Sequence, residues 1–105
     1  MLRKWIGDAQ VVAIAAPAWS EFLCGPVSAD TIDLASALLG EPLPFGSAEA
    51  TTSAALFNHA GRRRGSLIDC MIAACAIEAG ARVATTNRRA FRRFESMGLG
   101  VLGPG

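Results

Sequence analysis

Two acidic residues stand where a divalent cation could be held against a phosphate. Asp69 lies near the start of a predicted helix that follows a run of arginines, and Glu21 lies on the helix after a predicted strand. Two carboxylates about 4 Å apart repel by about 4 kcal/mol at an effective dielectric near 20, so a cation usually keeps such a pair ionised. Mg²⁺ fits because it accepts one or two carboxylates together with phosphate and water, and Mn²⁺ accepts the same ligands. The cation would orient a water molecule for attack on phosphorus.

Both acids also have an ordinary interpretation. Ser66 and Asp69 form the S-x-x-D pattern of a capping box, and an acid in the first turn of a helix complements the helix dipole. Glu21 lies opposite Trp19 and Phe22 on its short helix, as a solvated glutamate would. The pattern alone leaves open whether these carboxylates bind a metal.

The arginines are the third chemical feature of the chain. Residues 59–105 hold eight arginines against three acids, a net charge of +5, whereas residues 1–58 carry a net charge of −4. A basic half beside an acidic half suits a nucleic-acid surface next to a metal site. Arginine also pairs with carboxylates, so an acidic partner peptide is the alternative ligand. The residues predicted to contact RNA or a partner are Arg62, Arg63, Arg64, Arg88 and Arg92.

Composition argues against several other classes of protein. The chain has 105 residues, of which 51% are hydrophobic and 18% charged, and it is predicted to form a single globular domain over 1–105. Three cysteines without C-x-x-C spacing and a lone histidine, His59, argue against a zinc site and favour a reducing compartment. The apolar runs are too short for a signal peptide or a bilayer span, so we expect a cytoplasmic protein without a membrane partner.

Hydrophobic periodicity predicts the elements that must position these residues. Their alternation favours a three-layer α/β/α fold with a mainly parallel sheet. Ligands of such sheets gather beyond the carboxyl ends of the strands, where Glu21 follows the first strand and Asn87 follows the third. The predicted helices cover 1–10, 17–25, 28–39, 47–59, 66–79 and 88–97, and the predicted strands cover 11–16, 43–45, 81–85 and 99–102.

Several segments resemble the PIN-domain family, in particular the VapC toxins of bacterial toxin–antitoxin pairs. The segment 12–25 is similar to the second PIN strand and to the helix whose glutamate is an active-site acid, here Glu21. The segment 61–81 is similar to the helix with the pattern D-x-x-I-A-A, in which Asp69 is the acid, and Asn87 matches the polar residue of T-x-N. Together with a third strand at 43–45, the similarity extends from about residue 2 to residue 102.

The resemblance implies a fold, an activity and partners. It implies a PIN-like domain that acts as a Mg²⁺-dependent endoribonuclease, with Glu21, Asp69 and Asn87 as catalytic residues and with Glu21 and Asp69 as metal ligands. It also implies an RNA substrate, a VapB-like antitoxin whose tail blocks the active-site groove, and a homodimer.

The sequence departs from the family pattern at two places. PIN proteins open with a strand bearing D-T/S-x-x-L, whose Asp is the first metal ligand, and these 105 residues show no such segment. We therefore expect an N-terminally truncated domain with a gap at the centre of its sheet. Ala90 stands where many family members have an acid before the phenylalanine.

Three interpretations follow. The first is a toxin-type ribonuclease recorded without its N-terminus, and the second is a non-catalytic PIN remnant that binds an antitoxin-like peptide or RNA. The third is an unrelated α/β module whose motif match is accidental. Because two of the family's acids are missing, we expect weak or absent nuclease activity from these 105 residues.

Overall fold

Helices and short strands alternate over most of the chain. A computed structural model describes residues 2–6, 9–63, 66–84 and 88–102, with the backbone alone for 2–6, 9–12 and 88. The strands are β1 (Leu2–Ile6), β2 (Ala9–Ala13), β3 (Arg82–Ala84) and β4 (Gly100–Leu102). The helices are α1 (Ala16–Cys24), α2 (Ala29–Leu39), α3 (Ser47–His59), α4 (Leu67–Ala79) and α5 (Arg88–Arg92), and a 3₁₀ turn spans Glu95–Met97.

The four strands form one sheet in the order β2-β1-β3-β4. The pair β3–β4 is parallel, and an isolated parallel bridge joins Ala15 to Leu43. In contrast, β1 runs antiparallel to both of its neighbours, pairing Leu2 with Ala13 on one side and with Val83 on the other. The predicted α/β fold is confirmed, while the direction of β1 departs from the expected mainly parallel sheet.

The helix predicted over 1–10 is wrong. Leu2, Trp5 and Ile6 have helical spacing, but a short apolar segment can equally form a strand. Here Leu2 belongs to a strand that pairs with a neighbour on each side. Those two ladders satisfy backbone groups that a single short helix would leave open at its ends.

The core is organised around α4, which packs against α1, α3, α5 and β3. Helix α4 is rich in alanine and cysteine, so its neighbours can approach its backbone closely. The buried residues of α4 are Cys70, Ile72, Ala73, Ala74, Cys75 and Ala76. The helical spacing of Ile68, Ile72 and Cys75 predicts a single buried stripe, whereas burial extends around much of the helix and Ile68 itself is 38% exposed.

Helix α2, in contrast to α4, is little buried. None of its residues, all within the described part of the chain, is buried. The helical spacing of Ile32, Ala35 and Leu38 predicts an inward face, yet Leu38 is 73% exposed, and Leu34 is 61% exposed. The helix still forms locally because Ser28 caps it, accepting a hydrogen bond from the Thr31 N–H at 3.2 Å.

Candidate active site

The first turn of α4 begins without the capping box that the sequence suggested. The N–H and the hydroxyl of Ser66 both donate to the carbonyl of Arg63, at 3.0 and 2.7 Å. Ser66 therefore turns away from the helix instead of capping it. The ordinary interpretation of Asp69 as the acid of a capping box does not hold.

Asp69 instead faces a cationic side chain. Its carboxylate Oδ2 lies 3.8 Å from Nη2 of Arg93, and its side chain is 34% exposed. Burial raises the pKa of Asp69, and the positive charge of Arg93 opposes that rise without cancelling it. A partly shielded carboxylate of this kind favours a neighbouring cation.

Arg93 lies in a segment that two buried phenylalanines anchor to the core. Phe91 and Phe94 are 6% and 0% exposed, and their rings pack edge to face with centroids 6.4 Å apart. The guanidinium carbon of Arg93 lies 4.7 Å from the centroid of the Phe94 ring, within the range of a cation–π contact. The sequence prediction omitted Arg93, although the F-x-x-F spacing around it indicates a turn anchored in the core.

Glu21 lies across a cleft from the same end of α4. The cleft has a volume of about 440 Å³ and is lined by Pro17, Ser20, Glu21, Cys24, Ile68 and Met71. Glu21 and Ile68 line this cleft together, whereas Asp69, the next residue of α4, is not among its lining residues. The structure thus brings Glu21 to the first turn of α4, while the direct charged contact of Asp69 is with Arg93.

The predicted contact arginines have different positions. Arg62 donates from Nη1 to Oδ1 of Asn58 at 2.7 Å and lies 5.9 Å from the Phe57 ring centroid, so it is tied to the end of α3. Arg63 and Arg92 are exposed. Arg64 and Asn87 lie outside the described residues, as does the side chain of Arg88, and those predictions stay open.

The ligand set near Asp69 is small. Within 2–6, 9–63, 66–84 and 88–102, no group of three or more His, Cys, Asp or Glu side chains could hold a metal ion. Ala90, at the position of a family acid, packs against the core as a methyl group. Asp69 and Glu21 nevertheless suit Mg²⁺, which needs only one or two protein carboxylates when phosphate and water complete its shell.

Comparison with known families decides the fold family. The family model of the PIN domain matches residues 2–96. This chain belongs to the PIN-domain family. No curated protein and no solved structure matches it.

Membership of the PIN family suggests a nuclease-type function. It also removes the interpretation that the motif match is accidental. In the described part of this PIN domain, no helix is long and apolar enough to cross a bilayer.

Proposed function

We propose that this PIN domain is a VapC-type toxin, a Mg²⁺-dependent endoribonuclease. The observation that supports the proposal is the position of Asp69. It lies in the first turn of the central helix α4, with Arg93 at 3.8 Å and with Glu21 across the adjoining cleft. This arrangement brings carboxylates and a guanidinium to one end of a helix in a family of nuclease type.

Each residue has a distinct task in the proposed reaction. Asp69 and Glu21 hold Mg²⁺, and Mn²⁺ is the alternative ion. The bound ion supplies an activated water and offsets charge on the phosphate. Asn87 orients a water through its amide, and the exposed arginines Arg63 and Arg92 attract the RNA backbone. Partial burial of Asp69 strengthens its attraction to a cation, because interactions between charges grow as water is excluded.

A second candidate function is a PIN remnant that binds RNA or an antitoxin-like peptide without cleaving it. Two observations favour it. Ala90 replaces a family acid with a core methyl group, and the described residues contain no cluster of three metal-binding side chains. Such a protein would keep the arginines and the cleft while lacking the full ligand set.

The proposal includes partners. A VapB-like antitoxin and a homodimer follow from the toxin assignment. Exposed apolar side chains are the observation that supports a protein partner, because contiguous exposed apolar surface is characteristic of interaction sites. On α2, Leu34 and Leu38 are 61% and 73% exposed, and Leu23 of α1 and Leu67 of α4 are 43% and 46% exposed.

We also propose a cytoplasmic location. All three cysteines, Cys24, Cys70 and Cys75, are free thiols. Unpaired cysteines suit a reducing compartment.

An RNA cleavage assay tests the proposal and separates the two candidates. The chain is incubated with a mixed single-stranded RNA pool in Mg²⁺, in Mn²⁺ and in excess chelator. Asp69→Asn removes the charge of the central carboxylate at nearly constant shape. Glu78→Gln is the matched control on the same helix, because Glu78 is exposed and accepts a hydrogen bond from the Thr52 hydroxyl at 3.1 Å.

If the chain is the proposed enzyme, we expect weak, metal-dependent cleavage. This cleavage should fall to the chelator background in Asp69→Asn and persist in Glu78→Gln. Tight RNA binding without cleavage in either metal would favour the remnant. Cleavage that survives in Asp69→Asn, or that continues in chelator, would rule out the proposed active site.

A further inference from the structure

Arg93 is an arginine whose charge is only loosely satisfied. Its Nη2 approaches the Asp69 carboxylate at 3.8 Å, beyond the 2.7–2.9 Å of a charge-assisted hydrogen bond. Its Nε is buried, and no acceptor for it lies within the described residues. A guanidinium has five N–H donors in a planar fork. The terminal Nη groups of Arg93 therefore keep hydrogen-bonding capacity for an anion, whereas its buried Nε is closed to solvent.

The position of Arg93 is fixed although its polar contacts are loose. The guanidinium stacks on Phe94, which is fully buried, and the side chain is 27% exposed. Stacking limits the conformational entropy that the side chain must lose when it binds a ligand. By contrast, Arg62 is hydrogen bonded to Asn58 at 2.7 Å, so its fork is already engaged.

We infer that Arg93 is a phosphate-binding residue that serves as the counter-ion of Asp69 until a divalent cation takes that carboxylate. This inference rests on the proposed function, since it assigns a further residue to the same site. Without a cation, the guanidinium balances the partly shielded charge of Asp69. With one bound, the carboxylate is neutralised by the ion, and the Nη groups of Arg93, still stacked on Phe94, bind an RNA phosphate instead.

A purely structural role for Arg93 makes a different prediction. If the pair only secured α5 against α4, removal of Arg93 would weaken the fold and would lower affinity for cations and for RNA together. If Arg93 instead leaves Asp69 for an RNA phosphate when a cation binds, the affinities for the cation and for RNA must change in opposite directions. Loss of Arg93 removes a competitor for Asp69 and so strengthens cation binding, while it weakens RNA binding.

The test measures both affinities in the full chain. Mn²⁺ alone is titrated, and its binding is followed by paramagnetic broadening of the Asp69 signals. Binding of a phosphorothioate single-stranded RNA of about ten nucleotides, within the usual range of site sizes, is measured in Mg²⁺ at several salt concentrations. Arg93→Gln removes the charge, and Arg93→Lys keeps the charge without the planar fork. Arg89→Gln, an exposed position on α5, is the control for net charge.

Arg93→Gln is expected to bind Mn²⁺ about two- to fivefold more tightly, the size of a half-exposed ion pair. Its RNA affinity is expected to fall about tenfold, and its salt slope is expected to decrease by about 0.7, the value of one phosphate contact on a single strand. Arg93→Lys should keep the wild-type salt slope, and Arg89→Gln should leave Mn²⁺ affinity unchanged.

The failures are distinguishable. If the wild-type chain binds Mn²⁺ and RNA, and Arg93→Gln binds both with the same affinities, the role of Arg93 is overturned and the proposed function stands. A parallel loss of both affinities in Arg93→Gln and Arg93→Lys would make Arg93 a structural residue and overturn the exchange. Absence of Mn²⁺ binding at Asp69 in the wild-type chain would overturn the proposed function, and the role of Arg93 with it.

Discussion

The carboxylate of Asp69 and the guanidinium of Arg93 lie 3.8 Å apart, although one residue starts the central helix and the other follows α5. A pair this exposed contributes about 0.2–1 kcal/mol to stability. Its importance is therefore positional, because it places a cationic side chain beside the acid that matches the PIN active-site motif.

The packing of α3 against α4 should govern stability. Leu56 is fully buried, so Leu56→Ala leaves a cavity and is expected to cost about 2–5 kcal/mol in the free energy of unfolding. Leu38→Ala makes the same chemical change at a residue that is 73% exposed, and it is expected to cost less than about 0.5 kcal/mol. Urea unfolding of both variants checks this. Equal losses would mean that α2 packs on the body of the protein after all.

The stability of the C-terminal end of α4 should depend on Gly80. Gly80 has φ 65° and ψ 32°, and its N–H donates to the carbonyls of Ala76 and Ile77. An added Cβ meets no atom within 4 Å, so the cost of Gly80→Ala is the backbone penalty of the left-handed conformation, about 1 kcal/mol.

The matched control is Gly25→Ala at the end of α1, where φ is −78°. That change should be neutral or slightly stabilising, because alanine restricts the unfolded chain without straining the folded one. Thermal unfolding gives the comparison. A stable Gly80→Ala protein with a weakened Gly25→Ala protein would reverse the assignment of the two helix ends.

The thiols should differ sharply in reactivity. Cys24 is exposed, whereas Cys70 and Cys75 are 0% and 2% exposed. The pKa of Cys75 is raised to about 11, first by burial and then by the negative charge of Glu49, and only a thiolate reacts readily. Iodoacetamide at pH 8 should therefore add one label to the native protein and three after denaturation, counted by mass spectrometry. Rapid labelling of Cys75 in the native state would show that α4 is not at the centre of the core.

The raised pKa of Cys75 also predicts that the stability of the protein depends on pH. The folded protein keeps the Cys75 proton up to a pKa of about 11, whereas the unfolded chain loses it near the ordinary thiol pKa of 9.0. Between these values the unfolded state binds fewer protons, so the free energy of unfolding falls as pH rises. Cys75→Ala should remove this part of the slope, and urea unfolding at pH 8, 9 and 10 would detect it. Identical slopes in the two proteins would contradict the raised pKa.

The sequence predicts the helices well because their signals are local. Ser28 at the start of α2 and Gly80 at the end of α4 act through neighbouring backbone groups, and such signals need no knowledge of the fold. Burial is harder to predict, since it depends on what packs against each face. Leu38 has helical spacing with Ile32 and Ala35, which predicts a buried face, but α2 has no buried residue.

The sheet shows where local reasoning fails. The segment 2–6 has helical spacing, yet it lies between β2 and β3, antiparallel to each. One partner, β2, follows after only two residues, Gly7 and Asp8, a spacing typical of a hairpin, whereas the other partner, β3, is distant in sequence and no local pattern encodes that pairing. The gap that we expected at the centre of the sheet is thereby filled by β1.

The candidate site was predictable in part. Asp69 and Glu21 were predicted from motif and spacing; Asp69 lies in the first turn of α4, Glu21 lines the adjoining cleft, and their role in a shared site stays a prediction. Arg93 was not found, because eight arginines in one half of the chain look alike until packing distinguishes them. The contacts of Arg93 with Phe94 and Asp69 exist only in the folded protein.

The most direct test of the account is a Mg²⁺ titration of the chain with the side-chain carboxylate signals followed by NMR. We expect saturable shifts at Asp69 and Glu21, with Glu78 and Asp30, which are exposed on α4 and α2, left unchanged. Asp69→Asn should abolish the shift at Glu21 as well, because one ion is shared by both carboxylates. A dispersed spectrum in which neither acid responds, or in which all the acids respond weakly and alike, would contradict a metal site at Asp69.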